Sequence, residues 1–135
     1  MEYIKNKNYL FKHIITLPLV WIWLVPFAVV DIVAEIYHRI CFPLYNSPYV
    51  KRSEYIKIDR HKLKYLNFFQ KISCAYCGYA NGLLAYWSEI VGRTEKYWCG
   101  IMHKKRKRFI PPKHHKKFKF VEYGSELKFK AKYKE

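Results

Sequence analysis

Residues 74–103 read CAYCGYANGLLAYWSEIVGRTEKYWCGIMH, and the fold turns on whether this stretch bends. Cys74, Cys77, Cys99 and His103 form Cys-x2-Cys, a 21-residue spacer and Cys-x3-His. Three thiolates and one imidazole are a ligand set that suits tetrahedral zinc, with iron as the alternative. The second pair, if helical, lies one turn apart on one face. A continuous helix from Asn81 to Cys99 would be about 27 Å long and would hold the two pairs at opposite ends. A shared ion therefore demands an interruption at residues 91–94. Gly92 is the natural break, and Thr94 could cap a second helix whose first turn carries Glu95. The expectation is a helical hairpin, 81–91 and 94–105, closed on one metal.

Two carboxylates flank the proposed ligands. Glu95, Cys99 and His103 recur every four residues, so Glu95 reads as a support behind the ligands or as an oxygen ligand if the ion is iron. A bland reading, an acid stabilising a helix start, weighs at least as much. Glu89 sits among apolar residues and reads first as a salt bridge to Arg93, one turn on, and second as a ligand, so Glu89 and Arg93 join Glu95 as candidate supports behind the ligands. His114 and His115 fall in a lysine run whose charge disfavours a metal there. Tyr76, Tyr79, Tyr86, Trp87, Tyr97 and Trp98 suit a membrane interface better than base stacking.

Upstream, Ile14 to Val30 is a 17-residue stretch without a charge. Its helix would measure about 26 Å, close to the hydrocarbon thickness of a bilayer. The remaining chain is too rich in lysine to wrap such a helix as a soluble core, and no signal-peptidase pattern follows it. A single span is favoured. A re-entrant version, bent at Pro18 and Pro26, would lay Asp31–Leu44 in the interface with Ile32, Ile36 and Ile40 toward lipid and Asp31, Glu35 and Arg39 away from it. Cys41-Phe42-Pro43 ends the run and Tyr45-Asn46-Ser47-Pro48 is turn chemistry. Residues 49–58 read as a strand or connector, and Asp59 as the cap of a helix over 60–73 with Leu63, Leu66, Phe69 and Ile72 inward.

Charge is distributed unevenly. The chain carries +16 formally; positions 1–45 hold only +1, whereas positions 104–135 hold +10. Lys104, Lys105, Arg106, Lys107, Arg108, Lys116 and Lys117 form an anion-attracting surface, read as contacting anionic lipid headgroups. Residues 118–134 could close a hairpin about Gly124 or form a last helix capped by Ser125. The organisation is a flank at 1–13, a membrane segment and interfacial helix at 14–45, a small helical Cys/His module at 46–103 and a basic tail at 104–135. The fold class is mainly α.

The motif C-x-Y-C-x-Y-A-N-G followed by R-T-E-x-Y-W-C-x3-H, preceded by ICFPLY and a proline-bearing apolar N-terminus, resembles a group of small uncharacterised bacterial membrane proteins. The likeness covers residues 15–105 and leaves the tail outside. It implies residence in a bacterial cytoplasmic membrane, and the excess of Lys and Arg after residue 45 puts the C-terminal part on the cytoplasmic side. It supplies no reaction. Three functions follow: an interaction or assembly module built on structural zinc, with another membrane protein as a partner; a redox protein using iron or the Cys74/Cys77 dithiol; and a tethered nucleic-acid binder using the tail. No nucleophile–base pair, phosphate-binding glycine loop or paired-carboxylate motif points to catalysis.

Overall fold

The computed structural model describes Lys5 and residues 7–133. The outer part of the N-terminal flank (Met1–Ile4, Asn6) and the last two residues of the basic tail lie outside the described residues. Five α-helices make up most of the chain: α1 (Tyr9–Ile22), α2 (Leu24–Leu44), α3 (Phe68–Trp98), α4 (Lys113–Lys117) and α5 (Glu126–Tyr133). The described residues contain no strand, only a single parallel bridge between Ile101 and Val121.

Proline sets the break between the first two helices. Pro26 has no N–H to offer the carbonyl of Ile22, where α1 ends, and its ring crowds that oxygen. Bonding resumes one residue on, with the Phe27 N–H donating to Trp23 at 3.1 Å. Trp23 keeps right-handed helical dihedrals (φ −67°, ψ −16°), so α2 continues α1 instead of folding back on it. The 36-residue run Tyr9–Leu44 is long and apolar enough to cross a membrane. Ile32, Ile36 and Ile40 face outward, whereas Ala34, His38 and Phe42 are buried.

A capping box starts α3. The Asn67 side chain accepts from the Gln70 N–H at 2.9 Å and the Gln70 side chain accepts from the Asn67 N–H at 3.1 Å. Two donors that a helix end leaves free are thereby satisfied. The expected helix at 60–73 is therefore corrected. Asp59 precedes only a 3-10 turn, Arg60–Lys62, and caps nothing with its side chain. Leu63 and Leu66 mimic helical spacing but lie ahead of the true cap.

α3 runs parallel to the first rod. Tyr76 donates to the Val20 carbonyl, Tyr79 to Asp31 and Tyr86 to Glu35, while Thr94 bonds Tyr37 and Trp98 reaches Tyr45. Parallel helices need a return connection, and residues 46–66 supply it by running backward along α3. Arg93 holds the Pro48 carbonyl at 2.7 Å. Tyr55 and Ile56 then pass over Gly82, and Lys57 over Gly78. A Cβ at Gly82 would lie 2.7 Å from the Tyr55 carbonyl oxygen. So close an approach of two backbones depends on glycine.

The core is Phe42, Val50, Leu83, Tyr86 and Ile90, joined by Tyr37, Tyr55, Tyr79 and Trp87. A polar seam crosses it. The Val50 N–H donates to His38 Nε2 at 3.1 Å, which leaves the proton on Nδ1 to donate to the Tyr86 hydroxyl at 2.9 Å. Tyr86 in turn donates to Glu35 at 3.1 Å, and Tyr49 and Arg39 complete that carboxylate at 2.8 Å each. Asp31 pairs with Arg52 and accepts from Tyr79 at 2.8 Å. Buried polar groups of α2 are thus satisfied by α3 and the connection, which fixes their register.

Candidate metal centre

The hairpin required by the Cys3His reading does not form. Gly92 and Thr94 are interior to the unbroken 31-residue α3, and Thr94 Oγ1 bonds back to the Ile90 carbonyl at 3.0 Å instead of capping a new helix. Gly92 has a different job: a Cβ there would meet the His114 ring at 2.8 Å, so the glycine is the notch in which α4 docks. Cys77 lies in the early turns of α3 and Cys99 just past its end, about 33 Å apart at a helical rise. Cys74, Cys77, Cys99 and His103 do not come together, and no ion can bridge the two pairs in this arrangement.

Nor is Cys74/Cys77 a knuckle turn. Both lie in α3, where positions i and i+3 hold their Cβ atoms about 5–6 Å apart, wider than the ~3.8 Å of a disulfide. All four cysteines are free. Cys99 and Cys77 are exposed, Cys74 and Cys41 partly so.

A different cluster assembles where the chain returns to the end of α3. Gly100, at φ +62°, stops the helix. Its N–H and that of Cys99 both donate to the Glu95 carbonyl, at 2.9 and 2.8 Å, the usual way a left-handed glycine closes a helix end. The chain turns away through His103 and comes back beside it. Met102 and Val121 share a hydrogen bond of 2.8 Å, and Val121 and Gly100 one of 2.9 Å. Pro112 leads into α4, which places His114 against Gly92 and His115 under Phe120. The His115 and Phe120 rings stack at 4.7 Å.

One ligand atom from each of Glu95, His103 and His115 falls within 4.8 Å of the others. Glu95 accepts from His114 Nε2 at 2.5 Å and from His115 Nε2 at 3.1 Å. His115 is 1% exposed, and its Nδ1 has no hydrogen-bond partner. An unpartnered buried N–H would cost about 1–3 kcal/mol, so the neutral ring carries its proton on Nε2, toward Glu95, and an ion shared with Glu95 would have to displace that proton. Burial pushes the Glu95 carboxyl up, but its bonds to His114 and His115, and the charge those rings carry when protonated, outweigh this and hold it below the usual carboxylate range.

Two imidazoles and a carboxylate are a donor set found around zinc and non-haem iron, with three protein ligands leaving a position open. Zinc–nitrogen bonds of about 2.0–2.1 Å would require the donor atoms to close in by roughly an ångström. His103 is exposed, its ring beside Phe109 and His115, so it is the donor with the most room to adjust. His114 is held to Glu95 from outside and would orient it. The flanking charge is partly neutralised: Lys117, two positions after His115, reaches Glu89 at 2.5 Å.

Glu89 is buried, and Arg93 grips it through Nε at 3.0 Å and Nη2 at 2.9 Å. It serves the docking of α4, not a ligand shell. Lys104, Lys105, Arg106, Lys107 and Arg108 are exposed just beyond His103, with Lys116 and Lys117 exposed on α4. Sequence reasoning dismisses His114 and His115 on charge; the signal it passes over is Pro111-Pro112, a rigid lead into a helix start that gives the two histidines a fixed place. No protein family, curated protein or solved structure matches this chain.

Proposed function

We propose that the protein is a membrane-anchored, cytoplasm-facing metal-binding module whose ion, zinc in the first instance and iron as the alternative, is held by Glu95, His103 and His115. The observation that supports this most is the cluster itself: one donor atom from each of Glu95, His103 and the buried His115 within 4.8 Å of the others. The apolar Tyr9–Leu44 run is the anchor. The basic run 104–108 and Lys116 face anionic headgroups, in keeping with the positive-inside rule. Because three protein ligands would leave a coordination position open, an ion held there could take a further ligand from a partner or substrate.

Elemental mass spectrometry on detergent-purified protein tests the reading. About one metal per chain is expected in the wild type, retained in Cys74→Ser and Cys99→Ser and lost in Glu95→Gln and His115→Ala. Metal lost in the cysteine variants instead, or absent from wild-type protein reconstituted with zinc, contradicts it. In the second case Glu95, His114 and His115 form a metal-free clamp that fastens the C-terminal segment to α3.

A further inference from the structure

A second site lies at the other end of α3. Between α1 and the first turns of α3 is a cavity of about 380 Å³. Its walls differ in character. Leu17, Val20 and Trp21 of α1, with His13 and Thr16 toward its start, form one side, and Arg60, Ser73 and Cys74 form part of the other. Tyr76 ties the two walls together, its hydroxyl donating to the Val20 carbonyl and its ring 5.3 Å from Trp21. The Arg60 guanidinium makes no ion pair with any described residue. The nearby connection and first turn of α3 expose Tyr65, Phe68 and Phe69, at 79%, 70% and 77%.

A cavity with a largely apolar wall, hydroxyl and thiol groups opposite and a cation with no counter-charge among the described residues fits a molecule with an acyl chain and an anionic head. From this we infer that the groove between α1 and α3 seats one anionic phospholipid, its chain against Leu17 and Val20 and its phosphate on Arg60. The inference rests on the membrane-anchored reading for the source of the lipid, and on the metal centre not at all. Continuity supports this occupant over a water-borne one: the apolar wall belongs to the Tyr9–Leu44 run, which is long and apolar enough to cross a membrane and leaves most of its large apolar side chains exposed. The phosphate contact is electrostatic and separate from the 104–108 run, which lies beyond the far end of α3.

The test uses full-length protein in detergent, with native mass spectrometry titrating phosphatidylglycerol, phosphatidylcholine and inorganic phosphate, and flotation on liposomes run in parallel. One phosphatidylglycerol should be retained by the wild type, at least tenfold more weakly by Arg60→Gln and by Ser73→Trp, which fills the cavity without touching the charge. Phosphatidylcholine and free phosphate should bind at least tenfold more weakly to the wild type. Equal retention by Arg60→Gln, or loss of the lipid only when Lys104–Arg108 are neutralised, overturns the site while flotation still reports the anchor. Failure of the wild type to float with any liposome overturns the anchor itself, and the lipid site with it.

Discussion

The two ends of α3 carry the residues that the sequence joins into one motif, and the structure gives them opposite surroundings. At the N-terminal end Cys74 and Cys77 share a helix face beside apolar α1. At the C-terminal end Glu95 meets His103, His114 and His115 within reach of several charges. Spacing along a chain therefore identifies a common ligand set only if the intervening backbone turns. Here 31 helical residues do not, and a residue set remote in sequence, 95 with 114 and 115, is the one brought together by a tail that folds back.

The comparison can be broken by uncoupling α3 from what holds it straight. Gly82→Val should have the largest effect, about 3 kcal/mol of lost stability, because the added carbons meet the backbone of Tyr55 and Ile56; urea unfolding followed by circular dichroism reads it. Tyr86→Phe removes the donor to Glu35 and the acceptor of His38 in one step. Its expected cost is about 2 kcal/mol, and a cost below a few tenths would show that the seam is not what registers α2 on α3.

An acid titration sharpens the C-terminal half. Burial raises the Glu89 carboxyl, but Lys117 and Arg93 more than offset it and hold it below its ordinary range. A depressed carboxylate contributes stability that is present above the unfolded-state value, about 4.3, and is lost as pH falls through the lower folded-state value. Stability should thus drop on acidification below that point, and Glu89→Gln should be less stable at pH 7 with a flatter profile. A profile unchanged by Glu89→Gln would exclude this carboxylate as the source. Smallest of all, Cys77→Ser at the exposed N-terminal end should shift stability by no more than about 0.5 kcal/mol, measured in the same urea series.

Much of the helical architecture is legible in the sequence. The charge-free stretch 14–30 and the Glu89–Arg93 pair follow from spacing that is local, one turn to the next, and the outward face of Ile32, Ile36 and Ile40, read for a re-entrant arm, is kept on a continuous helix instead. What escapes such reading is decided by distant packing. Gly92 looks like a helix breaker in isolation, yet within α3 its missing side chain makes room for His114, which arrives on a later helix. Asn67 and Gln70 form a reciprocal cap that outcompetes Asp59, a contest visible in the sequence only if both starts are weighed. The neighbours of His115 in sequence are lysines, which argue against a metal; in space its neighbours are Glu95, His103 and Phe120.

The distance between the two ends of α3 tests the account most directly. Spin labels placed on Cys77 and Cys99, with Cys41 and Cys74 changed to serine, report it by pulsed electron resonance in detergent or bilayers. An unbroken helix predicts a single narrow distribution at about 33 Å, broadened only by the reach of the two labels. A distribution below about 15 Å, which only a bend near Gly92 can produce, would contradict the straight α3 and return the four-residue Cys/His set to consideration.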